Sequence, residues 1–212
     1  LWWVTGFADG TVIIVGSEGT ILRGDNETGF TPQTSGVDVT LYGVWGVSPE
    51  KLWTVGFSAD NSVPGVILHW DGQSWTPVTG LPESLSSTPN FFKVWGTGED
   101  DIWVVGRDDL ILHWDGQSWT DEKSAMDEDW VTVTGRVKQS GTADVIVVGG
   151  RNQATILQRT SSGWKDVSLD GYPSLQGVCA QPTGDIMATG VGATILRRTP
   201  GLIWSEALGA PF

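Results

Sequence analysis

His69 and His113 are the only histidines in this 212-residue chain, and they hold the same place in two identical decamers, ILHWDGQSWT, at 67–76 and 111–120. Imidazole is the commonest metal ligand and the natural base near neutral pH, so this pair is the first candidate for chemistry. Equivalent positions of a repeat lie side by side or far apart, however, and do not converge on one ion. Three further positions in the same frame carry Arg23, Gln158 and Arg197. With Cys179 as the single cysteine, neither a tetrahedral zinc site nor a disulfide has enough donors, and no metal or other cofactor is expected. The histidines read as polar, half-exposed positions of a repeat, with a repeated ligand contact as the alternative.

Carboxylates are the other reactive groups. The triplets Glu99-Asp100-Asp101 and Asp127-Glu128-Asp129 suit calcium better than any other ion, but neither has the spacing of a defined calcium loop, and both read as solvated acidic turns. Arg23-Gly24-Asp25 spells a short adhesion motif and reads as a glycine turn.

The elements that position these residues follow from the repeat. Outward from the decamer, four landmarks recur five times. They are a Val-x-Gly step (Val4, Val44, Val94, Val133, relaxed at Val178), an apolar run ending in glycine, an Ile-Leu pair, and one aromatic residue (Phe30, Trp75, Trp119, Trp164, Trp204). Each lies in five or six β-prone residues bounded by Gly, Asp, Pro or Ser, and no stretch has helical periodicity. Four short strands every 40–45 residues are the mark of a propeller blade. The prediction is an all-β chain, a five-bladed β-propeller with four antiparallel strands per blade. It forms one domain, 1–212, with repeats at about 1–40, 41–90, 91–129, 130–173 and 174–212. Trp53, Trp103, Trp75, Trp119, Trp164 and Trp204 are expected to fill the wedges between blades. Asp71-Gly72 and Asp115-Gly116 should form hairpin turns. The ring is expected to close with no strand exchanged between its ends.

The pattern VWG, then (L/I)W-x-VG, then ILHWDG-x-SW resembles the propeller repeats of bacterial secreted and surface proteins, and more distantly the Asp-box propellers of sialidases and the photosystem II assembly-factor-like propellers. The likeness spans all five units and is strongest over 41–120. The Asp-box pattern sets its Asp five residues before its Trp, whereas Asp71 and Asp115 precede theirs by four, so sialidase chemistry is not implied. Asp-box turns in such propellers are structural, which agrees with the hairpin reading.

Glycosidase chemistry needs two carboxylates about 5–10 Å apart. The expected innermost strands, LWWVTG, LYGVWG, FFKVWG, WVTVTG and SLQGVCA, contain no Asp or Glu, so no catalytic residue is assigned. A glycosidase-type enzyme ranks last, and a carbohydrate-binding lectin-like propeller second, because polar residues repeat fully in only two units. The leading reading is a non-catalytic extracellular binding or scaffold propeller.

Composition narrows its partners. The formal charge is -13, from 12 Lys and Arg against 25 Asp and Glu, which disfavours nucleic acid and anionic membranes. No apolar run approaches the ~20 residues needed to cross a bilayer, so membrane insertion is not expected. The opening Leu1-Trp2-Trp3 has no Met and no basic leader, and reads as a mature or trimmed form of a secreted or cell-surface protein. The expected partner is a protein or a cell-surface glycan. The long loops at 57–65, 77–90 and 120–129 fall mostly on one face of a meander, with an exception at 136–144 on the other. Asp60, Asp108, Asp109, Asp127, Glu128 and Asp129, together with His69 and His113, are the predicted ligand-binding residues of an acidic, loop-rich face.

Overall fold

In the computed structural model, residues 1–137, 143–181, 183–199 and 204–207 are described. Twenty strands form five separate antiparallel sheets, each a meander in sequence order. The first blade comprises β1 (Trp3–Gly6), β2 (Val12–Val15), β3 (Ile21–Asp25) and β4 (Gly29–Gln33). The second comprises β5 (Thr40–Ser48), β6 (Lys51–Phe57), β7 (Val66–Trp70) and β8 (Trp75–Pro77). The third has β9 (Phe91–Gly98), β10 (Asp101–Gly106), β11 (Ile111–Trp114) and β12 (Trp119–Asp121). The fourth has β13 (Trp130–Val137), β14 (Ala143–Gly149), β15 (Thr155–Thr160) and β16 (Gly163–Asp166). The fifth has β17 (Leu175–Ala180), β18 (Ile186–Gly190), β19 (Ile195–Arg198) and β20 (Trp204–Glu206). The one helical element among the described residues is a short 3₁₀ turn, Val191–Ala193. The fold is the expected all-β five-bladed propeller. β1, β5, β9, β13 and β17 pack in succession along the axis.

The second, third and fourth blades bury both faces, so a strand such as β10 is buried from Ile102 to Gly106. Four apolar cores lie between successive blades. Trp75 packs back onto Ile13, Val15 and Ile21 of the first blade, and its Nε1 donates to Gln33 Oε1 at 2.9 Å. Trp119 and Trp204 pack in the same way against the second and fourth blades, and all three are less than 10% exposed. Trp53 and Trp103 are buried as expected, whereas Trp164 is only partly buried. Phe30 departs from the expectation: it sits in the same row but is 45% exposed. The reason is geometric. This aromatic always packs on the preceding blade, and among the described residues nothing covers that side of the first one.

The expected closure of the ring is likewise not seen. Among the described residues no apolar core, hydrogen bond or ion pair joins the fifth blade to the first. Pro200-Gly201, which reads as a turn in the sequence, residue 208, where the fifth repeat's last strand is expected to end, and most of the 136–144 turn lie outside the described residues.

The hairpin turns form as read. Asp71 Oδ1 accepts the Gln73 and Ser74 amides, both at 2.8 Å, and Gly72 takes φ +98°. Asp115 does the same for Gln117 and Ser118, with Gly116 at φ +90°. These amides hold both carboxyls below their ordinary pKa. Asp25 accepts from Glu27 and Thr28 in the matching turn of the first blade, so the adhesion-like tripeptide ends in a structural turn.

Candidate functional site

The predicted site residues do not form one cluster. Asp60, Asp108, Asp109, Asp127, Glu128 and Asp129 lie on the face that carries the second-to-third-strand turns and the blade connectors. His69 and His113 lie near the opposite ends of β7 and β11, inside the wedges, where they stack on Trp53 and Trp103 at centroid distances of 4.7 and 3.9 Å.

The acidic residues on the loop-rich face are already engaged. Arg151, from the β14–β15 turn, reaches Asp108 Oδ1 at 2.7 Å, Asp129 Oδ1 at 3.2 Å and Asp127 Oδ1 at 3.4 Å. Its amide donates to Glu128 Oε2 at 2.8 Å. Asp109 is buried and accepts from Trp130 Nε1 and the Ala125 amide, both at 2.8 Å, tying the connector at 122–129 to the third blade. Asp60 is held within its own loop: hydrogen bonds from the Ser58 and Ser62 hydroxyls and the Ser62 amide lower its pKa to about 2. Arg151 offsets one of the charges of this cluster, and the hydrogen bonds on Asp60 keep that carboxylate ionised. Among the described residues, no group of three or more His, Cys, Asp or Glu is arranged to hold a metal ion.

The same face carries a feature that the landmarks did not single out. Each innermost strand from β5 onward has a register break where it meets its neighbour, and the bulged residue is Tyr42, Phe92, Val131 or Gln176. A bulge re-aims a side chain, and these residues lie near the connector end of the innermost strands. Trp2 holds the equivalent place in the first repeat. Trp2, Tyr42 and Phe92 form a row with centroids 5.3 and 6.2 Å apart, and Phe57 stacks on Tyr42 at 4.7 Å. Trp2 is 58% exposed.

Two cations border the row. Lys93 Nζ lies 3.8 Å from the Trp3 ring centroid and donates to the Tyr42 carbonyl, and burial lowers its pKa to about 8. The Arg107 guanidinium lies 5.8 Å from both Phe57 and Phe92. The sequence signal was available: an aromatic residue two positions before the Val-x-Gly step in three consecutive repeats.

Beside this row a groove of about 480 Å³ runs between Val37-Asp38-Val39 and the 58–66 segment. Its wall includes the exposed Val63 and the backbone around Pro64 and Gly65. Asn61 Oδ1 accepts from Asn90 Nδ2 at 2.9 Å and ties this loop to the next connector. The arrangement offers aromatic faces, an apolar trench and a charged surround.

The chain is a β-propeller, and comparison with known proteins agrees as to fold. No family model matches the chain, and no curated protein sequence does. Among solved structures, it is similar to YCF48 bound to D1 peptide, with TM-score 0.68, 17% identity, 98% of this chain and 66% of that one covered. It is also similar to YCF48 from Cyanidioschyzon merolae, with TM-score 0.68, 15% identity, and 97% and 71% covered. A third likeness is to the extracellular domain of the hybrid two-component system BT4673 from B. thetaiotaomicron, with TM-score 0.68, 12% identity, and 100% and 28% covered. The chain thus spans just under two thirds of the first of these structures. At such identities the likeness is one of fold, and it supports the distant resemblance to photosystem II assembly-factor-like propellers.

Proposed function

We propose that this chain is a non-catalytic recognition propeller, borne by a secreted or cell-surface protein, that binds a protein partner on its loop-rich face. The observation that carries the reading is the row Trp2–Tyr42–Phe92, in which Tyr42 and Phe92 sit at bulges and Trp2 is exposed, on the face that also carries the Val63 groove. Aromatic residues at the centre and charged residues at the edge are the usual make-up of a protein-binding patch. The acidic loops form its edge, where they steer a basic partner surface without carrying most of the affinity. The D1 peptide bound to YCF48 supports peptide recognition by a propeller of this fold, and the BT4673 extracellular domain supports an extracellular setting.

A photo-crosslinking amino acid placed at Val63, and separately at Gln117 on the opposite face, tests the reading. The partner should crosslink from position 63, not from 117, and should be lost when Trp2 and Tyr42 are both replaced by Ala. Equal crosslinking from both faces, or retention by the double variant, rejects the site. Binding to a glycan array that survives the same double variant rejects the protein-partner reading.

A further inference from the structure

The four blade junctions use one set of repeat positions. On the covering side, the second strand sets a fully buried valine opposite an isoleucine: Val15 and Ile21, Val55 and Ile67, Val105 and Ile111, Val148 and Ile156. On the covered side, the next blade offers its innermost-strand valine and its outermost aromatic. Val44 and Trp75 pack on the first blade, Val94 and Trp119 on the second, Val133 and Trp164 on the third, Val178 and Trp204 on the fourth.

The first blade has the covered side too. Val4, Ile14, Leu22 and Pro32 form one row across the sheet, with Val12 and Phe30 in the next. Yet Val4 is 56% exposed where Val44 is 1%, and Phe30 is 45% exposed where Trp75 is 7%. A contiguous apolar sheet face of this kind is a packing surface, since one repeat cannot bury its own face.

The fifth blade is a poor candidate to cover it. Thr189 stands where the other four blades place the buried valine, and it is exposed, as is Cys179 on the same face. A second copy of the chain would offer that same polar face in a head-to-tail contact.

We propose that the leading face of the first blade packs against a further four-stranded repeat of the same polypeptide, outside residues 1–212. That repeat presents a valine–isoleucine pair over Val4 and Phe30. The inference is independent of the binding reading.

Hydroxyl-radical footprinting of residues 1–212, and of the polypeptide with its native flanking sequence, tests it. Phe30 and Val4 should be oxidised in the first and protected several-fold in the second. Phe30→Asp should lower the melting temperature of the longer polypeptide by about 4 °C or more and leave that of 1–212 nearly unchanged, while Phe30→Trp should be tolerated in both. Three results overturn the proposal: equal oxidation in the two polypeptides, a longer polypeptide indifferent to Phe30→Asp, or a concentration-dependent dimer of 1–212 that Phe30→Asp abolishes, which would make a second copy the occupant.

Discussion

His113 donates from Nε2 to Asp101 Oδ1 at 2.8 Å while its ring lies flat on Trp103, whereas His69, in the identical decamer, packs on Trp53 and, among the described residues, makes no hydrogen bond or ion pair to a carboxylate, Asp71 and Glu99 acting on it only through their charge. The difference comes from two neighbouring repeat positions. Where the third blade has Asp101 and Glu122, the second has Lys51 and Val78. Around His113, burial disfavours charge, but the hydrogen bonds and charges of Asp101 and Glu122 outweigh it and raise the pKa to about 9. Around His69, burial and the Lys51 ammonium both push the pKa down.

The two histidines should therefore give stability profiles of opposite sign. The folded-state pKa of His113 is raised, so its contribution is complete below the unfolded value of about 6.5 and disappears as pH rises through about 9. In thermal melts, the deficit of His113→Gln should be largest at pH 6 and shrink by about pH 10 to the part owed to lost stacking. The folded-state pKa of His69 is lowered, so the contribution of its neutral ring is complete above about 6.5 and is lost as pH falls. Two parallel, pH-independent deficits would show that the rings act by packing alone.

Asp144 and Arg198 join the fourth and fifth blades by a buried ion pair, with Nη2 donating to Oδ2 at 2.8 Å; the two side chains are 0% and 2% exposed. Gln158 Nε2 donates to the other carboxylate oxygen at 2.8 Å, and Arg136 lies 3.6 Å away. Removing one partner of a buried pair strands a charge and costs about 3–5 kcal/mol. Arg198→Leu should lose that much in denaturant melts, and Asp144→Leu combined with Arg198→Leu should lose less than the two single losses added. Strict additivity would mean the pair is not coupled.

The wedge aromatics should rank by what covers them. Trp75→Ala, Trp119→Ala and Trp204→Ala should each cost about 3–5 kcal/mol, as large-to-small changes in a core do. Trp164→Ala should cost less, because the indole is only partly buried. Phe30→Ala in the 212-residue chain should fall within about 0.5 kcal/mol of the parent, as at an open surface. A cost at Phe30 equal to that at Trp75 would contradict the open leading face.

The strands, their order and the hairpin turns were legible because period, β-branching and Asp-Gly pairs act locally, within a few residues. The fates of Phe30 and Trp75 were not, because both are the same landmark and differ only in whether a blade precedes them. The bulges at Tyr42 and Phe92 were hidden for a related reason: one extra residue in a strand leaves no compositional trace. The place of Arg151 beside the acidic loops was not legible either. That residue stands over twenty positions from Asp129 in sequence, and only the turn between β14 and β15 brings it across. Asp109 shows the same limit, since Trp130, which buries it, belongs to the next blade.

Arg151 offers the sharpest check on how the connector at 122–129 is held. Its side chain bridges Asp108, Asp127 and Asp129, and its amide holds Glu128, while Arg107 lies 3.9 Å from Asp129 and Arg159 pairs with Glu122 at 2.7 Å, so Arg151 makes most of the charge pairing at 127–129. Replacing it by Gln leaves several like charges within a Debye length of about 10 Å, and the connector should open. Limited proteolysis should then cut the variant within 122–129 several-fold faster than the parent at low salt. Raising salt toward about 1 M, where screening acts over about 3 Å, should close most of the gap. Asp127→Asn, Glu128→Gln and Asp129→Asn combined with Arg151→Gln should cut more slowly than Arg151→Gln alone, because the repulsion is gone. A connector equally resistant in parent and Arg151→Gln at all salt concentrations would show that Asp109, through Trp130 and Ala125, holds it unaided.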